Sequence, residues 1–200
     1  MRKQMISGYE SFLEPIGTIT IPPITEPFAV RDKFVRNVWY SRDRITGVAT
    51  LGIDPDVPVK IFGICDDFTH QFSNRTEPPV DEVTLQSFEL RGPLSRGDAS
   101  IVLLDLRGEE AKVSLGQIFW LMEQQPDGGP GPLAVAGSGV LDNHVNTFFV
   151  SHVPNDIYWQ DIPVCAVDIQ WYGWGWFVYA LELNFPRCST KRRIFTPTST

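Results

Sequence analysis

The sequence predicts an all-β protein: an eight-stranded antiparallel jelly-roll β-sandwich with one short helix and extended terminal arms. Two observations lead there. Sixteen glycines and sixteen prolines cut the 200 residues into short segments, in the manner of a domain with many turns. The segments between them carry β-branched and aromatic residues, with no alternation of strands and long helices that would signal a parallel α/β sheet. An immunoglobulin-type sandwich is the second architecture compatible with this pattern.

Taken in order, Lys33 to Tyr40 alternates Phe34, Val35 and Val38 and closes on Trp39-Tyr40, as a half-buried strand does. Val48 to Ile53 follows Gly47 and ends at Asp54-Pro55, and Val59 to Cys65 is a third short run. After Pro78-Pro79, Asp81 to Phe88 opens on two acids and carries Val83, Leu85 and Phe88, which predicts the one short helix. Ser100 to Leu106 and Gly116 to Glu123 are continuous apolar runs, expected as central strands covered on both faces. Gln125 to Gly139 holds five glycines and three prolines and predicts a long surface loop. Strands are then expected at Asn146 to Val153, Ile162 to Ile169 and Gly175 to Phe185. In the last, Phe177, Tyr179, Leu181 and Leu183 share one face, with Glu182 and Asn184 on the other. The division is an N-terminal arm over 1–30, a jelly-roll domain over 31–188 and a flexible tail over 189–200.

Composition narrows the chemistry. Apolar residues make up 42% and charged residues 20%, the balance of a chain that packs a core. The longest apolar stretch, Trp171 to Leu183, is interrupted by Gly173 and Gly175 and is too short for a membrane helix of ~20 residues. No membrane partner is expected. The N-terminal segment lacks the apolar core of a secretory signal, so a reducing cytoplasm is expected. Cys65, Cys165 and Cys188 have no CxxC spacing, which predicts unpaired thiols. The net charge of −7 is uneven, at +2 over residues 1–50, −7 over 51–110 and −2 over 111–200. Any nucleic-acid contact must therefore be local.

Candidate sites are few. His144 and His152 are eight residues apart, about 26 Å along an extended strand at ~3.3 Å per residue, so a shared metal needs a turn between them. Cys65-Asp66-Asp67-Phe68-Thr69-His70 gathers a thiol, two carboxylates and an imidazole, but a nucleophile needs its base close in space, which nearness in sequence rarely supplies, and the run is read as a strand-end cysteine followed by an acidic solvated turn. Gly137-Ser138-Gly139 lacks the flanks of a nucleophile elbow, and Asn74-Arg75-Thr76 is a glycosylation triplet without an export signal. No catalytic centre, metal or cofactor is expected. Trp171, Trp174 and Trp176 form an aromatic run that suits core packing, a subunit interface or stacking on sugars. Lys191, Arg192 and Arg193 are the candidate contact to RNA or to the outer surface. Pro22 and Pro23, in the arm, are candidates for contact with a neighbour.

With these segments laid out, Phe34 to Ser41, Gly47 and Leu51 to Pro55 resemble the paired early strands of picornavirus-like capsid proteins. A nearer likeness, to the small coat protein of comoviruses and fabaviruses, runs from Leu85 through Leu90-Arg91-Gly92, Ser100 to Gly108 and Gly116 to Leu121. It resumes at Ile162 to Ile169 and Phe177 to Phe185. The resemblance implies a structural subunit of a non-enveloped virion. It would assemble with copies of itself and a larger two-domain coat protein into an icosahedral shell around positive-strand RNA. Virion localisation after host-cytoplasmic synthesis follows, as does a C-terminal tail near the outer surface. The alternative from the residues alone is a lectin-like sandwich using the three tryptophans.

Overall fold

The computed structural model describes residues 13–36, 38, 40–42, 49–51, 57–90, 112–135, 144–151, 164–173, 175–181 and 192–198. Over these residues the chain is mostly β, with few helices. The strands are β1 (Leu13–Ile21), β2 (Phe28–Ala29), β3 (Tyr40–Arg42), β4 (Ala49–Leu51), β5 (Ile61–Ile64), β6 (Thr76–Glu77), β7 (Val83–Leu90), β8 (Val145–Ser151), β9 (Val164–Trp171), β10 (Trp176–Leu181) and β11 (Arg192–Pro197). Two α-helices, α1 (Asp66–Phe72) and α2 (Leu115–Glu123), and a π-helical turn at Arg31–Val35 complete them.

Seven strands form one sheet in the order β1-β7-β11-β8-β9-β10-β5. The antiparallel expectation is corrected here, because β11 runs parallel to β8 and β10 parallel to β5. For the first of these the cause is the C-terminal strand. Arg192–Pro197, expected in a flexible tail, carries Ile194, Phe195 and Thr196, which fit a pleated sheet, and it inserts between β7 and β8. Leu13–Ile21, expected in the arm, is likewise an edge strand paired with β7. The large mixed sheet is consistent with a β-sandwich: every residue of β8 from Val145 to Val150 and of β9 from Val164 to Gln170 is buried, so both faces are covered at the centre.

Two helix assignments reverse. Asp81 to Phe88, expected helical, is strand β7, because Val83, Leu85 and Ser87 repeat at period two and the segment is paired by β1 and β11 on its two sides. Gly116 to Glu123, expected as a strand, is helix α2. Ser114 Oγ accepts from Gln117 N (3.1 Å) and Gln117 Oε1 accepts from Ser114 N (2.9 Å), a reciprocal cap on two otherwise unsatisfied N–H groups. From there Leu115, Ile118, Phe119 and Met122 recur at helical spacing and are all buried. Lys33 to Tyr40 is also not one strand. Its start belongs to the π-helical turn, Val38 makes a parallel bridge to Ile61, and Tyr40 opens β3, which pairs with β4.

The core lies between one face of the sheet and these helical segments. Phe34 sits at its centre, fully buried, with ring centroids 6.1 Å from Phe28, 5.1 Å from Phe68 and 5.2 Å from Phe119. Phe148 and Phe195 stack at 4.8 Å across β8 and β11. Helix α2 approaches closely through Gly116, where an added Cβ would lie 3.2 Å from the Phe28 ring. The run Ser100 to Leu106 lies outside the described residues.

Candidate interaction surface

The tryptophans do not form the platform that their spacing suggests. Trp176 is wholly buried, and its indole N–H donates to the Gln125 carbonyl at 3.1 Å. Trp171 packs edge-on against it at 5.3 Å, and the loop crosses the Trp171 ring at Gly128, whose φ of 64° and missing Cβ permit the approach. Trp174 lies outside the described residues. The loop is no loose surface excursion over 125–135. Gln125 is buried, donates to Gly129 O (2.6 Å) and Leu133 O (3.2 Å), and accepts from Leu133 N (2.5 Å). Asn146 on β8 then accepts from Ala134 N (2.8 Å) and donates to Ala134 O (2.9 Å). Residues 136–139 of the expected loop lie outside the described residues.

The aromatic surface that remains is one strand register away. On β10 the alternation turns Trp176, Val178 and Ala180 into the core, so Phe177 and Tyr179 occupy the opposite face, half-buried. They stack at 4.5 Å, Tyr172 meets Phe177 edge-on at 5.8 Å, and Phe62 from β5 stacks on Tyr172 at 6.5 Å. The Tyr172 and Tyr179 hydroxyls share a 3.1 Å hydrogen bond, and Tyr172 is 38% exposed. Rings that expose a face and carry a polar tip suit a wet protein interface.

The basic cluster is dismantled by the fold. Arg192 is 3% exposed. Its Nη1 donates to Asp168 Oδ1 (2.9 Å) and Oδ2 (3.1 Å) and to Thr147 Oγ1, and Thr147 donates to Asp168 Oδ1 at 2.8 Å. Arg193 donates to Pro132 O at 3.1 Å, and Lys191 lies outside the described residues. Arg192 is therefore corrected from a candidate RNA or surface contact to a buried ion pair joining three strands. Pro22 and Pro23 are exposed, just past β1.

Cys65 caps helix α1, its Sγ accepting from Phe68 N (3.4 Å) and from Ala180 N on β10 (3.2 Å). Burial pushes its thiol up, outweighing those two N–H groups. Cys165, fully buried, is pushed up more strongly for the same reason. A nucleophilic cysteine needs the opposite shift. His70 sits in the last turn of α1, exposed. In a Cys188→Ser background, a thiol-reactive probe at neutral pH is expected to label the chain more slowly than free cysteine. Labelling faster than free cysteine would show an activated thiol. Among the described residues no three metal-ligating side chains cluster; His144 precedes β8, and His152 is not among them.

A second buried carboxylate organises helix α2. Glu77, 2% exposed, accepts from Gly116 N at 3.0 Å through Oε2, while Oε1 lies 3.1 Å from Arg75 Nη2. Arg75 also donates to Ser151 O at 2.6 Å. Burial is the largest influence and raises the Glu77 carboxyl, against the Arg75 charge and the Gly116 and Leu115 N–H groups, which lower it. A carboxyl raised by folding holds its proton more tightly in the folded chain. Its stabilising contribution is therefore complete below its ordinary value and is lost as the pH rises through the folded one. Urea midpoints measured across this range should show that component, and Glu77→Gln should remove it.

No protein-family model, curated protein or solved structure matches the chain.

Proposed function

We propose that the chain is a non-catalytic structural subunit, the small coat protein of a non-enveloped icosahedral shell. In this reading it assembles with copies of itself and a larger coat protein around positive-strand RNA. The observation that carries the reading is the sheet's construction as a tile. Its centre is covered on both faces by β8 and β9 burial, which leaves contact surface at the ends. One end presents the ring group around Tyr172; at the other, β1 exposes Ile16. Rigid units that meet at their edges are what closed shells are built from. The strand segments quoted for the resemblance add to this support, since Tyr40–Arg42 and Ala49–Leu51 pair antiparallel as its early strands do. RNA contact, if made, does not run through Arg192, which Asp168 already occupies. Among the described residues no helix is long and apolar enough to cross a membrane.

Co-expression with the larger coat partner should give closed particles in electron micrographs, and a stubborn soluble monomer would count against the proposal. The carbohydrate-stacking alternative relied on Trp171, Trp174 and Trp176, of which Trp176 is in the core and Trp171 is crossed by Gly128. A glycan array is expected to be silent. Binding that disappears in Tyr172→Ala would favour the alternative.

A further inference from the structure

We propose that the aromatic group around Tyr172 docks the proline-bearing ribbon of a second copy of this chain in a head-to-tail contact. This rests on the coat-subunit reading and names the surfaces and the partner of one of its contacts. Beyond β1 the chain stays paired with the segment that leads into β7, where Ile24 N donates to Val80 O (2.9 Å) and Val80 N to Ile24 O (3.0 Å). Pro22, Pro23, Pro27, Pro78 and Pro79 are all exposed on these two segments. Ile21 pairs with Val83 and Ile24 with Val80, so Pro22 and Pro23 lie opposite Glu82 and Asp81, which are exposed too. Glu26 adds a third exposed carboxylate to the ribbon. Stiff apolar rings thus stand among acids. Proline has no side-chain freedom to lose on docking, and aromatic-lined surfaces are what proline segments bind.

The same chain carries such a surface. Phe62, Tyr172, Phe177 and Tyr179 bring ring faces without charge, and the two tyrosines add hydroxyls. Lys60 borders them: its carbonyl accepts from Trp176 N at 2.8 Å, one residue before Phe177, and its side chain is 54% exposed. Its ion pair with Asp127 is exposed at both ends, and such pairs contribute little, so Lys60 can turn to the acids of an incoming ribbon. A copy cannot seat its own prolines on its own rings. From β1 to β10 there are five strand spacings, about 24 Å across the sheet. β1 and β9 also run in opposite senses, so Pro22 follows one end of the sheet and Tyr172 the other. Two ribbons would meet acid to acid, so the complementary contact joins unlike surfaces. Repeated about an axis, a contact of that kind closes into a ring when its rotation divides a full turn.

Variants of the full chain test it. In sedimentation the wild type should associate beyond a dimer with rising concentration. Tyr172→Ala, and Pro22→Ser combined with Pro23→Ser, should each weaken that association about tenfold or more, with thermal melting unchanged. Mixed together, these two variants should form a one-to-one dimer and go no further, because the ribbon of the first fits the rings of the second. A wild type monomeric at every concentration, association indifferent to both variants, or a mixture that stays monomeric would overturn the proposal. Should either variant melt early, exchanged charges at exposed positions decide. Lys60→Glu should weaken association, and mixing it with chains carrying Asp81→Lys and Glu82→Lys should restore a dimer; no restoration would overturn the contact. Shells that form with Tyr172→Ala would remove this contact and leave the coat reading standing; head-to-tail association without shells would do the reverse.

Discussion

Replacing Asp168 with alanine should lower the unfolding free energy by about 3–5 kcal/mol, because it strands a buried guanidinium without its counter-ion. Arg192 and Asp168 are 3% and 5% exposed at the side chain, with Thr147 completing the hydrogen bonding. The pair does more than neutralise charge. It ties β11, the last strand in sequence, to β8 and β9 at the middle of the sheet. Urea unfolding followed by circular dichroism measures the loss. The contrasting variant is the double replacement Asp168→Leu with Arg192→Met. It leaves no unpaired charge and should return stability to near the wild-type value or above it. If Asp168→Ala costs no more than a surface substitution, the cluster does not hold β11 in place.

The second large effect is expected at Phe34. Truncation to alanine should cost about 3–5 kcal/mol, the range for removing a phenylalanine from a closed core. The residue is wholly buried and touches the rings of Phe28, Phe68 and Phe119, which come from β2, α1 and α2. These rings join the two helices and the π-helical turn to the small β2–β6 sheet, so their loss should loosen that whole layer. Phe34→Leu keeps a branched apolar side chain and should cost less than Phe34→Ala. A Phe34→Ala midpoint equal to that of the wild type would mean that the cavity relaxes fully and that the ring contacts add nothing.

Strands whose pattern was local were legible in the sequence. β5 and β10 fall within the runs that their alternation or apolar character marks out, and β8 and β9 overlap theirs, with β8 starting one residue before its run and β9 ending two residues past its own. Gly116 to Glu123 misled because a short apolar run fits a buried strand and a buried helix alike. The deciding signal was Ser114, two residues before the run, with Gln117 just inside it, the spacing of a helix cap. Asp81 to Phe88 misled in the other direction. Its leading acids suit a helix start, yet Val83 and Leu85 are two apart, which is strand spacing. The Arg192 environment was harder to read. A cation in a polar C-terminal run looks solvated, and its partner lies 24 residues upstream. The available clue was Asp168 itself, a carboxylate inside the apolar run Val164 to Ile169, where burial demands an opposite charge. For the interaction surface, the sequence marked the right neighbourhood and the wrong rings. Which side of β10 faces the core depends on its register with β9, and that register is set by tertiary pairing.

Sedimentation velocity on the chain co-expressed with a larger, two-domain coat protein tests the proposed assembly most directly. The account requires most of the material to run as particles far heavier than the 22.6 kDa chain, with both proteins in one boundary. A single slow boundary at 22.6 kDa, unchanged by concentration and by the partner, would contradict it.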